Sequence, residues 1–168
     1  MRRSTQYVYD EYSRLIAVLD PMKKTTGYGY DKMGNLLTLT DANSQTTTFE
    51  YENHNRVKKM IYPGGAFETF AYDPLGRMVT MVDRKGNTTT LVYDNLGRLT
   101  DKSFTIAPGS TVATPAFHYT YDAAGRMLTA SNGSDTLTWT YNSTGDLATE
   151  ASTTNGPTVA YQYDTGGN

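Results

Sequence analysis

The sequence predicts an all-β fold, a tandem array of β-hairpins forming a long twisted antiparallel sheet. Three observations carry that prediction. A tyrosine followed by an acidic residue or Asn recurs eight times at nearly constant spacing. The recurrence opens a turn of the form Asp-x-x-Gly, with Asp in six of the eight units and Gly in six, and the segments between turns are rich in β-branched and aromatic residues.

The repeated tyrosines are Tyr9, Tyr30, Tyr51, Tyr72, Tyr93, Tyr121, Tyr141 and Tyr163. The first four intervals are 21 residues each and the later ones 28, 20 and 22. Residues 1–6 read as a lead-in and 7–168 as the array, about seven complete units and a truncated eighth. The long interval contains an insertion near residues 107–115, whose Pro and Gly suit a loop or an extended hairpin tip.

Each unit reads Tyr-Asp-x-x-Gly-Arg-apolar. It is clearest in Tyr72-Asp73-Pro74-Leu75-Gly76-Arg77, Tyr93-Asp94-Asn95-Leu96-Gly97-Arg98 and Tyr121-Asp122-Ala123-Ala124-Gly125-Arg126, with Tyr30, Asp31 and Gly34 equivalent. An Asp side chain accepts a backbone N–H about two residues on, and Gly or Asn takes the positive φ that closes the turn. Ser13 stands where Gly is expected and marks the one weak turn. Half a period later come Asp20-Pro21, Asp41 to Ser44, Pro63-Gly64-Gly65, Asp83 to Asn87, Asn132-Gly133-Ser134 and Asn155-Gly156-Pro157. Two turns per unit leave two strands of about six residues, so every repeat is a hairpin and the chain holds about 15 strands.

Segments such as Leu36–Thr40, Thr46–Phe49, Met78–Val82, Thr88–Val92 and Leu137–Thr140 favour strands, and none keeps helical spacing over ten residues without a breaker. Two residues before each repeat tyrosine stand Tyr7, Tyr28, Phe49, Phe70, Leu91, Tyr119, Trp139 and Tyr161. Alternation along a strand puts both rows on one face, where stripes of neighbouring rings are expected to hold the stack together, at about 0.2–1 kcal/mol per cross-strand pair. Leu15, Leu36, Val57, Met78, Leu99, Met127 and Leu147 follow the turns at one equivalent position and are placed to pack on those rings.

Of 168 residues only 38% are hydrophobic and 28 are threonine, so a conventional single core is not expected. Aromatics at 12%, 14 of them Tyr, argue against disorder. The formal charge of −2 offers no surplus for nucleic acid. The absence of cysteine removes disulfides, Cys-based zinc sites and thiol nucleophiles. Met1-Arg2-Arg3 is followed by no apolar run, so the chain shows no targeting signal. The longest apolar stretch is Leu15–Leu19, far short of the roughly 20 residues a membrane helix needs, and membrane insertion is not expected.

The unit Tyr-Asp-x-x-Gly-Arg-Leu at about 21-residue spacing resembles the YD repeat of the Rhs (rearrangement hotspot) family, found in Rhs polymorphic toxins, Tc toxin B and C components, wall-associated proteins and teneurins. The resemblance runs from about Tyr7 to the last residue. It implies a segment of a spiralling Rhs-type β-shell, a non-enzymatic scaffold that encloses a toxin or C-terminal cargo. It also implies a bacterial protein that is secreted or at the cell surface, with the remainder of the shell and its cargo as partners. Self-association through sheet edges or faces is expected of an isolated ribbon.

No cofactor, metal or catalytic residue is expected. One repeated Asp per 21 residues lacks the convergent oxygens calcium needs. His54 and His118 are the only histidines and have no third ligand. No nucleophile elbow, phosphate loop or zinc-protease motif occurs. The repeat arginines Arg14, Arg56, Arg77, Arg98 and Arg126 are expected over neighbouring rings or against turn Asp residues. The alternative function is an extracellular or cell-surface carbohydrate-binding module, with Trp139 and Tyr119 as the glycan contacts.

Overall fold

The computed structural model describes residues 4–107, 116–154 and 156–164. The first three residues of the lead-in, most of the insertion near 107–115, Asn155 of a half-period turn and the last four residues of the eighth unit lie outside the described residues. Among the described residues there are fifteen strands and no helix. The chain divides into two compact units, residues 1–85 and 86–168.

The first unit contains β1 (Gln6–Tyr9), β2 (Leu15–Leu19), β3 (Thr25–Tyr30), β4 (Leu36–Thr40), β5 (Thr46–Tyr51), β6 (Val57–Ile61), β7 (Phe67–Tyr72) and β8 (Met78–Val82). Each pairs antiparallel with the next. The second contains β9 (Thr88–Tyr93), β10 (Leu99–Thr105), β11 (Ala116–Tyr121), β12 (Met127–Ser131), β13 (Thr136–Tyr141), β14 (Leu147–Ser152) and β15 (Val159–Ala160), paired in the same way. The all-β antiparallel fold class is therefore as the repeat grammar predicts. The seven-residue β10 runs up to the insertion.

Most turns at both ends of the strands share one geometry. In residues 73–77 the Gly76 N–H donates to the Asp73 carbonyl at 2.9 Å, and the Asp73 N–H donates to the Arg77 carbonyl at 2.9 Å. Gly76 sits at φ 85°. This is a type I turn closed by one left-handed residue, a common three-residue hairpin loop. Ser13 adopts the same conformation at φ 61° with both closing bonds at 3.0 Å. Its turn is intact because the Asp10 carboxylate also accepts the N–H groups of Tyr12 and Arg14 at 2.9 Å each. Those bonds offset the roughly 1–2 kcal/mol that a side chain costs in the left-handed region. Lys23, Ser44 and Asn55 occupy equivalent positions with positive φ.

The two kinds of hairpin differ in register. Wherever a YD turn closes the pair, the ladder steps by one residue next to the repeat tyrosine or its partner: Tyr9 faces Leu15 while Val8 faces Ala17, leaving Ile16 as a bulge. The same step recurs in the other YD hairpins, from β3/β4 to β13/β14. Pairs closed by the opposite turns show none among the described residues. Bulges of this kind fix register and raise local twist.

No described residue is fully buried, so neither unit has a two-layer core. The two faces nevertheless differ. One carries the rings and their partners: Tyr28 faces Leu39, Phe49 faces Met60, Phe70 faces Met81, and Tyr51 faces Val57. The stripes are thus ring beside aliphatic, correcting the expected ring-on-ring contact. The reason is that equivalent rings are two strands apart, about 9.6 Å, with the second strand of the hairpin between them. Phe104 and Phe117 do meet edge to face at 6.2 Å. The other face is threonine-rich: Thr38 faces Thr48, Thr40 faces Thr46, Thr120 faces Thr129 and Thr140 faces Thr149. Hydroxyl pairs close at 2.9, 2.6 and 2.6 Å for 40/46, 120/129 and 140/149. Threonine suits this position because it is β-branched, favouring the strand, while its hydroxyl tolerates water.

Candidate functional site

The chemistry of this chain concentrates along the YD turns, where neighbouring repeats within each unit are fastened together. The Arg14 Nε donates to Asp10 Oδ2 at 2.8 Å within its own turn, and Nη1 donates to the Asp31 carbonyl of the following turn at 2.8 Å. Its guanidinium also lies 4.9 Å from the Tyr30 ring centre. Arg98 repeats all three contacts, with Asp94 Oδ2 at 2.7 Å, the Asp122 carbonyl at 2.8 Å and the Tyr121 ring at 4.9 Å. Arg126 binds Asp122 at 2.7 Å and covers Tyr141 at 4.4 Å, while Arg56 binds Glu52 and covers Tyr72 at 4.7 Å. Arg77 donates to Asp73 at 2.7 Å. Ring and carboxylate are engaged together, since a planar guanidinium offers its edge to the acid and its face to the ring.

The tyrosines complete the link in the opposite direction. Tyr30, Tyr51, Tyr72, Tyr121, Tyr141 and Tyr163 each donate the phenol O–H to a carbonyl of the preceding hairpin, at Leu15, Leu36, Val57, Leu99, Met127 and Leu147 respectively. The distances are 2.8 to 2.9 Å. Every one of these carbonyls belongs to the residue that opens a second strand, beside the bulge. Partial desolvation raises the phenols of Tyr51 and Tyr121 above the ordinary tyrosine range, keeping them donors. The Arg98 N–H, against partial desolvation and with the Arg98 guanidinium, holds the Asp94 carboxyl below the ordinary range; Arg126 acts likewise on Asp122.

Where the repeat departs from its pattern the link survives in altered form. Asn35 takes the arginine position, and its amide donates to Asp31 at 2.8 Å and to Asn55 of the next turn at 2.9 Å. Within residues 142–146 the pairing inside the turn reverses polarity, with the Asn142 amide donating to the Asp146 carboxylate at 3.2 Å. Two shallow grooves open between consecutive turns of the first unit. One of about 460 Å³ is lined by Tyr12, Arg14, Tyr30, Asp31 and Lys32, and one of about 490 Å³ includes Tyr51, His54, Arg56, Tyr72 and Pro74.

Trp139 and Tyr119 lie half-buried on the ring-bearing face, on β13 and β11, with β12 between them. Trp139 faces Glu150 and Tyr119 faces Ala130 across their ladders. His54 is exposed at a turn tip, 3.9 Å from Glu52. His118 pairs its Nδ1 with Asp101 at 2.8 Å on the threonine face. No three His, Asp or Glu side chains are placed to hold a metal among the described residues. Asp135 accepts the Ser152 hydroxyl at 2.9 Å, the Thr153 hydroxyl at 2.7 Å and the N–H groups of Thr153 and Thr154 at 3.0 and 3.2 Å. Nothing in the repeat period points to this cage, because its members occupy no recurring position.

A sheet of tandem hairpins, each bound mainly to its neighbours in sequence, defines a repeat protein in which every unit completes the next. The chain belongs to the Teneurin YD-shell family, whose model matches residues 74–168. The RHS Repeat model matches residues 9–46 and 30–66. Among solved structures it is similar to TcdB2-TccC3-TEV, at 16% identity and a TM-score of 0.60 over 98% of this chain and 11% of that one. TcdB2-TccC3 gives 17% identity and a TM-score of 0.58 over 95% and 11%. TcdB2-TccC3-Cdc42 gives 16% and 0.53 over 99% and 14%. These likenesses are of fold, and the chain spans about a tenth of the length of the first of these chains. A comparison with curated proteins gives no match.

Proposed function

We propose that this chain is a non-enzymatic length of wall in an Rhs-type β-shell that encloses a toxin or other C-terminal cargo. The observation that carries the reading is the direction in which the recurring chemistry of the repeat points. Arginines and tyrosines of the YD turns reach the adjacent repeat, and the aspartates hold their own turns, rather than converging on a common centre. Such a wall satisfies its backbone hairpin by hairpin, and the two grooves described on it are shallow, which suits enclosure better than turnover. Its partners are the neighbouring repeats of the shell, which cover its outer strands, and the cargo; its place is outside the bacterial cell or on its surface.

The test is protease protection in the intact protein that carries this segment. Its downstream region should resist digestion under native conditions and become cleavable once the repeats are unfolded by denaturant. Cleavage of that region at equal rates with and without folded repeats would overturn enclosure.

A further inference from the structure

The loop between β12 and β13 is Gly133-Ser134, flanked by Asn132 and Asp135, and the Asn132 N–H donates to the Asp135 carbonyl at 3.1 Å. The side-chain oxygen of Asn132 accepts three hydrogen bonds at once. They come from the Ser134 N–H at 3.1 Å, the Ser134 hydroxyl at 2.9 Å and the Asp135 N–H at 2.8 Å. Asn132, Gly133 and Ser134 are all exposed to water. Gly133 has φ 86°, and nothing lies within 4 Å of the place a Cβ would take. Asn132 and Asn155 are the two asparagines followed by glycine, and Asn155 lies outside the described residues.

We propose that Asn132 is a site of self-modification, at which the turn promotes loss of its own side-chain amide. The Gly133 nitrogen gives its proton to hydroxide and attacks Asn132 Cγ, closing a cyclic imide. The Cγ–Nδ2 bond breaks, and Nδ2 leaves as ammonia with a proton taken from water. Water then opens the imide at either carbonyl. Opening at Cγ leaves aspartate with the original backbone; opening at the main-chain carbonyl leaves isoaspartate, with the chain running through the former side chain. The reaction is a hydrolysis and needs no oxidant or reductant.

The geometry favours the first step. Negative charge develops on Oδ1 as the nitrogen attacks, and three donors already point at that atom, the arrangement that stabilises an oxyanion. Glycine offers its nitrogen with no Cβ beside it. Residues 142–146 supply the internal contrast. Asn142 Oδ1 also accepts three donors, the Thr144 N–H at 3.0 Å, the Thr144 hydroxyl at 2.7 Å and the Asp146 N–H at 2.8 Å. There, however, the next residue is Ser143, and the Asn142 amide is tied to Asp146 at 3.2 Å. The oxygen is held alike, but the nucleophile is hindered and the leaving group is tethered. The two products at Asn132 also differ in consequence. Aspartate opens most of the other turns, and its carboxylate takes the same donors with a full charge. Isoaspartate lengthens the backbone of a tight loop and loosens the β12/β13 closure.

The test is peptide mapping by mass spectrometry after the full chain is incubated in mildly alkaline buffer. Conversion of amide to acid should accumulate at Asn132, as aspartate and isoaspartate, while Asn142 keeps its amide. Ser134→Ala removes one donor to Oδ1 and should slow conversion in the folded chain about tenfold or more, with circular dichroism unchanged. In urea, where the turn is lost, the same variant should match the wild type. Gly133→Ala should slow conversion in both states. An Asn132 that keeps its amide, equal conversion at Asn142, or a folded-state rate indifferent to Ser134→Ala would overturn the proposal.

Discussion

The two rows of turns use the same backbone device to different ends. In most turns of both rows, a carboxylate or amide at the first position accepts the N–H groups of the third and fifth residues, as in Asp73 and Asp41. Both close their hairpins. At the YD row, however, the turn also reaches the next hairpin through arginine, tyrosine and the bulge carbonyl. At the opposite row the first two turns are joined by one long bond, Lys24 Nζ to Asn43 at 3.4 Å. Further along that row Tyr62 donates to Glu68 at 3.0 Å with Arg84 lying 4.6 Å over its ring, and Asp135 accepts the Ser152 and Thr153 hydroxyls at 2.9 and 2.7 Å. Making a hairpin and coupling hairpins are thus separable tasks: the first uses one device at both rows, while the second recurs with the repeat at the YD row and is met by a different contact at each turn of the opposite row.

Truncation should expose that separation most strongly. Tyr121→Ala removes a half-buried ring, its cover by Arg98 and its bond to the Leu99 carbonyl, and should cost about 2–3 kcal/mol in urea denaturation. Tyr121→Phe removes the bond alone and should cost about 1 kcal/mol. Asp41→Ala, which loses only local turn bonds, should also cost about 1 kcal/mol. Equal losses for Tyr121→Ala and Asp41→Ala would mean the YD row couples nothing.

A finer division falls within the YD row. A Cβ at Gly76 would lie 2.7 Å from Arg56 Nη1, whereas at Gly34 nothing lies within 4 Å, and the two have φ of 85° and 89°. Both alanine variants bear the same left-handed strain, roughly 1–2 kcal/mol. Gly76→Ala should additionally push Arg56 from its place over Tyr72, making it the more destabilising of the two in a thermal melt. Matching melting points would show that the arginine shifts at no cost.

The fold was legible because its information is periodic. Tyrosine spacing gave the hairpins, Asp-x-x-Gly gave the turns, and the residues after the turns gave the partners of the rings. The links between repeats were legible only in part. The sequence shows that Arg14 and Tyr30 recur, but not that one guanidinium serves Asp10, the Asp31 carbonyl and the Tyr30 ring together, because that depends on where the bulge places the second strand. Nor does position predict that Asn35 would replace an arginine with an amide bridging two turns. The alternation of rings with aliphatic partners follows from strand order, which a reading of one strand at a time does not supply.

The smallest expected effect lies in the opposite row, at the cage where Asp135, which closes the β12/β13 turn, takes the end of β14. Hydrogen bonds from the Thr153 hydroxyl, then from Ser152 and Thr154, outweigh partial desolvation and hold this carboxyl down to about 2, against an ordinary 3.8. A carboxyl lowered on folding contributes stability above the ordinary value, and that contribution fades as pH falls from about 4 through about 2. Asp135→Asn keeps the shape and removes the charge, so wild type should exceed the variant in denaturation midpoint at pH 7, with the gap narrowing below about pH 4 and closing only below about pH 2. The turn aspartates titrate downward in both proteins and cancel from that difference. A gap that stays constant across the acid range would assign the cage's contribution to shape and hydrogen-bond count rather than to the ionised carboxylate.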